Sequence, residues 1–502
     1  MLRLLRRRWT AVLLVGVVAI GASWLVTRTA PLEALEGQAL DWRFLFRGPQ
    51  GDPSPRVAVV LVTEESGLPY RSPIPRRHLA AVVEHLAEAR LVGLDILLDQ
   101  PSFDTDGDNL LKDALRRHGR VVAVSYLERG QEHLPESSFG SVLLDHGYAT
   151  FATGSGEEVV RAGSLWWPGP GGRSLSLVGS LYAHLQGWDT TALRAGAPAP
   201  LAGDRILINY SGPSGRVYQR LEGLAGGLVV CPSHLVAAGV YPPGFFAGRV
   251  VLVGSGLDDA PDRYRTPFFS AAYGYEKTHG AEIHAQFLRT LVDAEPLREW
   301  GGPGWWLLVL CLCVALAAAV LLGGALQGAA VTVALILALH GAAFALFSLR
   351  GVVMPLVAPS LAVLLAYGLA TGVHALTEGR EKRQVRHLFE KYLAPGVVEE
   401  LLRDPARWRL GGQSMEITVL FADLEGFTPL TEGLEPHALV GLINEFLTEM
   451  SRAIWDQGGT IDKYEGDLIM AFFGAPVPQP DHAARACRAA LRMQARMAEL
   501  RP

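Results

Sequence analysis

Two acidic residues near the C-terminal end of the chain stand where carboxylates can bind a metal–nucleotide complex. Asp423 follows an apolar run at residues 417–422, and Asp467 precedes a second apolar run at 468–473. Magnesium prefers few carboxylates plus phosphate oxygens, so two acids at strand ends, one of them beside Gly426, suit such a ligand. Asp423 alone has a plainer interpretation, because an aspartate at this point often caps the following helix.

A hairpin and a helix are the elements that must position these acids. Residues 465–467 are typical of a tight turn, and residues 468–473 of the strand that returns from it. Lys463 lies on the first strand of this hairpin. A charged residue on an apolar strand is costly unless its side chain faces a ligand or a cleft. Between the two acids, residues 436–455 carry apolar side chains at helical spacing and predict a core helix.

These two segments resemble a known enzyme family. The pattern F-x-D-x-x-G-F-T at residues 421–428 and the pattern K-x-x-G-D at 463–467, with a helix between them, resemble class III nucleotidyl cyclases. The resemblance covers residues 412–502 and is specific, because order, spacing and flanking strands agree. It implies an α+β, ferredoxin-like catalytic domain that converts ATP to cyclic AMP and pyrophosphate.

The resemblance also implies roles for individual residues. Asp423 and Asp467 correspond to the family's metal-binding aspartates, with the Leu424 carbonyl as an additional ligand, and they would hold two magnesium or manganese ions. Lys463 corresponds to the purine-reading position, and a lysine donates to adenine N1 but meets the N1 donor of guanine badly, which favours ATP. The other substrate-binding positions implied are Glu425, Gly426, Phe427, Thr428 and Gly466.

Class III sites form between two catalytic domains, so a homodimer is expected. The transition-state Asn and Arg of the family lie in the second half of the domain, and this sequence stops at Pro502. We therefore expect a truncated catalytic domain, no transition-state residue within this chain, and a sequence that is a fragment. A guanylate cyclase and a catalytically inactive receptor are the alternatives. A diguanylate cyclase is disfavoured, because the turn lacks that family's G-G-D/E-E-F pattern.

Composition predicts a multi-domain membrane protein. Mean hydropathy is +0.22 and 49% of the 502 residues are hydrophobic, and four apolar stretches have the length or near-length of a membrane span. Basic residues precede the first stretch and follow the last, which places both termini in the cytoplasm of a multi-pass cell-membrane protein. A net charge of −5 gives no case for nucleic-acid binding. Only one of the four cysteines lies in the sensor region, which excludes a disulfide framework there.

Between the first two spans the chain predicts an extracytoplasmic α/β domain with a largely parallel sheet. Strand candidates begin at residues 57, 91, 121, 206 and 250. Residues 104–108 resemble part of a calcium loop, but the glycine is misplaced, so a solvated loop is the expectation. Asp95 and Asp99 flank the end of a predicted strand and could line a ligand cleft, with strand-end capping as the alternative.

The extracytoplasmic region resembles the second type of CHASE sensor domain. Residues 40–44, 92–95 and 280–285 carry the resemblance in the right order. It implies a sensor whose ligand is unknown. The predicted domain organisation is a membrane anchor at 9–27, the sensor at 28–303, three membrane helices at 304–376, a cytoplasmic linker helix at 377–411 and the half cyclase domain at 412–502.

Overall fold

The structure is a computed structural model that describes most of the chain. The described residues are 2–26, 29–50, 54–68, 73–128, 131–151, 159–169, 172–197, 205–213, 228–269, 277–389 and 414–500. They form two compact units, Met1–Thr371 and Gly372–Pro502. Each unit is described by itself.

The first unit contains the predicted sensor and the long apolar helices, and the last of these helices continues past the unit's boundary at Thr371. Its helices of eight or more residues, with three shorter ones among them, are α1 (Leu2–Val26), α2 (Ala30–Arg47), α3 (Arg76–His85), α4 (Thr105–His118), α5 (Ser137–Gly140), α6 (Leu177–Gln186), α7 (Thr190–Arg194), α8 (Ser233–Ala237), α9 (Gly280–Val292), α10 (Pro303–Gly323), α11 (Ala325–Arg350) and α12 (Val357–Phe389). Its strands are β1 (Val57–Val62), β2 (Leu91–Asp95), β3 (Val121–Glu128), β4 (Gln131–His133), β5 (Asp145–Tyr148), β6 (Ala162–Gly163), β7 (Trp166–Gly169), β8 (Gly172–Leu175), β9 (Ile206–Leu207), β10 (Val229–Pro232), β11 (Val250–Ser255), β12 (Arg263–Tyr264), β13 (Thr278–His279), β14 (Arg298–Glu299) and β15 (Val352–Val353).

A seven-stranded sheet organises the sensor, in the order β10-β1-β11-β2-β3-β4, with β5 also paired to β3. Every pairing in it is parallel except that between β3 and β4. The six residues of β1 are all buried, as expected of a central parallel strand covered on both faces. One face packs under α6 and α9 and the other under α3 and α4, so the predicted α/β layer structure is confirmed.

Two local predictions are corrected by the structure. The strand beginning at Ile206 lies outside the parallel sheet, because it pairs antiparallel with β6. The segment 104–108 is not a solvated loop. The Asp104 carboxylate accepts a hydrogen bond from Gly107 N at 3.0 Å and caps α4, so the acidic residues occupy the helix's first turn.

Among the described residues, four helices are long and apolar enough to cross a membrane, at Trp9–Val26, Pro303–Gly323, Ala325–Arg350 and Val357–Thr377. The predicted number of spans agrees with this finding. The first packs against the second at Gly16, where an added Cβ would lie 2.7 Å from Val314 Cγ2, the close approach that small residues permit between membrane helices.

The second unit is a three-stranded antiparallel sheet with helices on one face. Its elements are β16 (Thr418–Ala422), α13 (Phe427–Gly433), α14 (Pro436–Trp455), β17 (Thr460–Glu465), β18 (Leu468–Phe473) and α15 (His482–Leu500), and the strand order is β16-β18-β17. The predicted hairpin and core helix are confirmed. Of the predicted linker helix, α12 accounts for residues up to Phe389, and residues 390–413 lie outside the described part of the chain.

Candidate functional site

Pairing in the small sheet brings the two predicted metal-binding acids to one edge. Asp423 directly follows β16, whose last residue, Ala422, pairs with Ile469 of β18. Asp467 occupies the two-residue turn between β17 and β18. Because β18 is the central strand, the end of β16 and the β17–β18 turn are adjacent.

The two carboxyl groups interact directly. A hydrogen bond between the Asp423 and Asp467 side chains raises the pKa of Asp423, and Leu424 N donates to Asp467 Oδ2 at 3.1 Å. Two carboxyl groups in direct contact form a site where a divalent cation is favourable. No group of three or more such ligands occurs among the described residues, and two carboxylates are the protein ligand set that magnesium takes when phosphates supply the rest.

The turn after Asp423 is exposed and glycine-dependent. Gly426 has φ +75°, the left-handed region that favours glycine, and α13 begins at the next residue, Phe427. The Leu424 carbonyl accepts a hydrogen bond from Phe427 N at 3.3 Å and keeps a second lone pair. Glu425 is exposed, and the side chain of Thr428 lies outside the described part of the structure.

Lys463 lines a small open pocket on the same sheet. The pocket has a volume of about 140 Å3 and is formed by Phe421, Lys463, Glu465, Leu468 and Met470. Lys463 is 54% exposed, and its Nζ lies 3.7 Å from Glu465 Oε1. Gly466, with φ +66°, makes the turn beside it. The lysine therefore faces a cleft, which is where a charged side chain of this strand is expected to lie.

One apolar surface of this unit was missed by reasoning from sequence. Ile417, Val419 and Phe421 are 41%, 42% and 63% exposed, whereas Leu420 between them is buried under the helices. The signal was present, because a strand covered on one face alternates apolar and polar residues, and residues 417–422 are apolar at nearly every position. We call Ile417, Val419 and Phe421 the open face of β16.

The two sensor acids singled out in the sequence, Asp95 and Asp99, belong to the first unit. Asp95, the last residue of β2, has a buried Oδ2 that has no hydrogen-bond partner among the described residues. Burial, and secondarily the neighbouring Asp262, raises its pKa well above the usual range. Asp99 is exposed four residues beyond the strand. The two acids thus have different environments and form no common cleft in the described structure.

Family models match two parts of the chain. The CHASE2 domain model matches residues 13–321, and the model described as the adenylate and guanylate cyclase catalytic domain matches residues 412–501. The first match covers more than half of the chain, from α1 to α10. The second contains the acid pair, the pocket and the open face of β16.

Individual relatives match a small share of the chain. Adenylate cyclase 1 of Rhizobium meliloti (strain 1021) is 35% identical over 92 residues, which are 18% of this chain and 13% of that protein. The crystal structure of the adenylyl cyclase CyaB from P. aeruginosa is 44% identical, with a TM-score of 0.18 over 18% of this chain and 48% of that one. A guanylyl cyclase structure is 41% identical, with a TM-score of 0.17 over 18% and 46%. The chain therefore spans less than half of each of these relatives.

Proposed function

The chain belongs to the CHASE2 family and carries a class III adenylate/guanylate cyclase catalytic domain, and from this premise we propose that it is a membrane-bound adenylate cyclase controlled by its sensor domain. In the proposed reaction the ribose 3′-oxygen of ATP attacks the α-phosphorus. A bond forms between these two atoms, the bond from the α-phosphorus to the bridging β-phosphate oxygen breaks, pyrophosphate leaves with that electron pair, and the 3′-hydroxyl proton passes to solvent water.

The observation that carries the proposal is the pair of hydrogen-bonded carboxyls, Asp423 and Asp467, beside the pocket of Lys463. Asp423, Asp467 and the Leu424 carbonyl would hold two magnesium or manganese ions. When bound, these ions supply Lewis-acid stabilisation of the triphosphate and lower the pKa of the attacking hydroxyl. The raised pKa of Asp423 supports this role, because it marks a position where positive charge is favourable.

The protein's own groups would then hold the nucleotide. Lys463 would donate to adenine N1, and the pocket's apolar side chains, Phe421, Leu468 and Met470, would contact the base. Backbone amides of residues 425–428 and of Gly466 would point towards the phosphates. Glu465 lies within ion-pair distance of Lys463, and both side chains remain exposed to a ligand.

A second copy of the chain is part of the proposal. The open face of β16 exposes three apolar side chains on the side of the sheet opposite the helices, and an exposed apolar patch of this kind marks an interaction surface. We propose a homodimer through this face, with the transition-state groups supplied across it. This arrangement would place each Lys463 pocket next to the partner's surface.

The proposed topology has both termini in the cytoplasm. Four candidate spans are an even number, and Arg3, Arg6, Arg7 and Arg8 precede the first, as Arg380 and Lys382 follow the last. The sensor would then lie outside and the cyclase inside, with domains at 9–27, 28–303, 304–376, 377–411 and 412–502. An extracytoplasmic ligand of unknown identity would be the input.

The test is a cyclase assay on the full-length natural protein in membranes with ATP or GTP and either Mg2+ or Mn2+. We expect cyclic AMP from ATP and at least about tenfold less product from GTP. Asp423→Asn should abolish product, whereas Asp456→Asn, which breaks an exposed ion pair with Arg492 on the same unit, should not. Preferred turnover of GTP would establish the guanylate alternative, and no turnover of either nucleotide would establish the inactive receptor.

A further inference from the structure

Helix α2 joins the sensor to the start of the last membrane helix. It begins at Ala30, directly after the first candidate span, and its polar residues bond to two separate parts of the fold. One set contacts the α/β domain, and the other contacts residues 354–357 at the N-terminus of α12. These contacts join residues far apart in sequence, so they are tertiary features of the fold.

The sensor side of α2 is held by charged side chains. Asp41 accepts two hydrogen bonds from Arg161, to Oδ1 and Oδ2, both at 2.8 Å, and Arg161 is only 7% exposed. Gly37 makes room for this guanidinium, since a Cβ there would lie 2.8 Å from Arg161 Cζ. Arg47, six residues beyond Asp41 on the same helix, donates to Asn209 Oδ1 at 3.0 Å and to the Tyr210 carbonyl at 2.7 Å.

The other side of α2 caps the last membrane helix. Glu36 Oε1 accepts from Leu356 N at 2.7 Å, and Oε2 accepts from Val357 N at 2.8 Å. Val357 is the first residue of α12, so a carboxylate from α2 satisfies amides at that helix end and complements its dipole. Arg43, 4% exposed, lies 3.7 Å from Glu36 and donates to the Met354 carbonyl at 2.8 Å.

The segment between α11 and α12 is held from a second direction as well. Strand β15 pairs in parallel with β14, which follows α9 of the sensor. Arg298 N donates to the Gly351 carbonyl and Trp300 N donates to the Val353 carbonyl, both at 2.8 Å. The entry to α12 is therefore fixed by two elements, and each of them is continuous with the sensor core.

From this arrangement we propose that α2 is the coupling element that transfers a change in the sensor to the last membrane helix. The ion pair Asp41–Arg161 is its contact with the sensor, which we call the input. Glu36 and Arg43 are its contacts with the start of α12, which we call the output. A buried, hydrogen-bonded ion pair resists separation, because removing either partner leaves an uncompensated charge. A shift of the sensor against the membrane therefore carries α2 and the first turn of α12 with it. That this shift regulates a cyclase rests on the proposed function; the coupling itself does not.

Hydrogen exchange of the Leu356 and Val357 amides, in the full chain reconstituted in nanodiscs, tests the proposal without an activity assay. Asp41→Asn weakens the input contact and leaves Glu36 and Arg43 unchanged. The double variant Glu36→Gln/Arg43→Gln removes the output without leaving one charge buried. Glu33→Gln, an exposed acid on the same helix, is the matched control.

We expect exchange of both amides to rise about tenfold in Asp41→Asn and in the double variant, the size typical of a lost helix cap. The control should stay within about twofold of the parent. Unchanged exchange at Leu356 and Val357 in Asp41→Asn would overturn the coupling. An equal rise at the central β1 amides of Val59 and Val60 would also overturn it, because that result means general loosening.

The same variants separate this inference from the proposed function. In the full-length natural protein, the double variant should also change cyclic AMP production, while Glu33→Gln should not. If exchange responds as expected but neither the parent nor any variant turns over nucleotide, the coupling stands and the proposed function fails. If the parent is active and Asp41→Asn moves neither exchange nor activity, the proposed function stands and the coupling fails.

Discussion

The sensor and the cyclase unit use charged residues in opposite ways. In the sensor unit Arg43, Arg161 and Arg289 are each less than a tenth exposed and bond to carboxylates or backbone carbonyls. In the cyclase unit Lys463 and Glu465 are more than half exposed, and Asp423 is exposed beside Asp467.

This difference separates two jobs that polar residues do. Buried, paired charges fix one arrangement of helices and strands, because separating a pair leaves a charge in a nonpolar environment. Exposed charges at a strand end keep their bonding capacity for a ligand. The sensor's ion pairs should therefore govern stability, and the cyclase unit's exposed charges should govern activity with little effect on stability.

The largest expected effect is on activity. Asp467→Ala in the full-length natural protein should lower cyclic AMP formation about a thousandfold or more, because it removes a proposed metal ligand from the triphosphate. Membrane insertion and thermal unfolding should be unchanged. Parent-like activity of this variant would contradict the metal assignment, and a large loss of stability would break the contrast between the two units.

The next effect is on stability. Arg161→Ala should destabilise the sensor by about 1–3 kcal/mol, because Asp41 loses its two hydrogen bonds from the Arg161 guanidinium. Arg452→Ala, which removes an exposed i,i+3 ion pair with Glu449 in the cyclase unit, should cost less than about 1 kcal/mol. Thermal or denaturant unfolding of each variant in detergent measures both values, and equal costs would contradict the comparison.

A smaller effect is expected on nucleotide choice. Lys463→Glu should shift the ratio of ATP to GTP turnover by about 10–100-fold towards GTP, since the new carboxylate can accept hydrogen bonds from the N1 and N2 donors of guanine. Glu465→Gln is the control, because it removes the lysine's ion-pair partner but leaves the lysine. An unchanged ratio in Lys463→Glu would mean that this residue does not read the base.

The smallest effect concerns a buried acid in the sensor. The folded state raises the pKa of Asp95 above its unfolded value, mainly by burial. Its stabilising contribution is therefore complete below the unfolded pKa of about 3.9 and is lost as pH rises through the folded pKa. Asp95→Asn should raise stability by about 1–3 kcal/mol at pH 7 and flatten the pH dependence between the two pKa values.

Unfolding followed from pH 4 to pH 8 measures this effect, with the exposed Asp99→Asn as control. If the free energy of unfolding of Asp95→Asn parallels that of the parent over this range, ionisation of Asp95 does not cost the folded state stability.

The cyclase hairpin was predictable because its determinants are local. The turn at Gly466 and Asp467, the apolar strand after it and the helix Pro436–Trp455 all follow from spacing within a few residues. The closeness of Asp423 to Asp467 was predictable only through the family resemblance. Sequence periodicity does not state that β18 is central, and that order is what brings the two acids together.

The errors in the sensor have physical causes. The acidic segment 104–108 begins a helix rather than forming the expected solvated loop, because Asp104 caps the helix and Arg77 donates to its carboxylate. Ile206 is β-branched and apolar like a sheet strand, but only two residues pair, and they pair with β6. The hydrogen bonds of Glu36 could not be predicted from neighbouring residues, since its partners lie 320 and 321 positions away in the sequence.

Helix α12 is longer than a bilayer is thick, and this has an electrostatic consequence. Its 33 residues extend about 50 Å, against roughly 30 Å of hydrocarbon. The twelve residues beyond the span Val357–Thr377 carry four basic and two acidic side chains, which are too costly to place among lipid tails. In a bilayer we expect residues of this composition at the level of the lipid headgroups, where anionic lipid attracts each nearby Lys or Arg by about 1 kcal/mol. The depth at which the helix rests should follow the lipid charge of that leaflet.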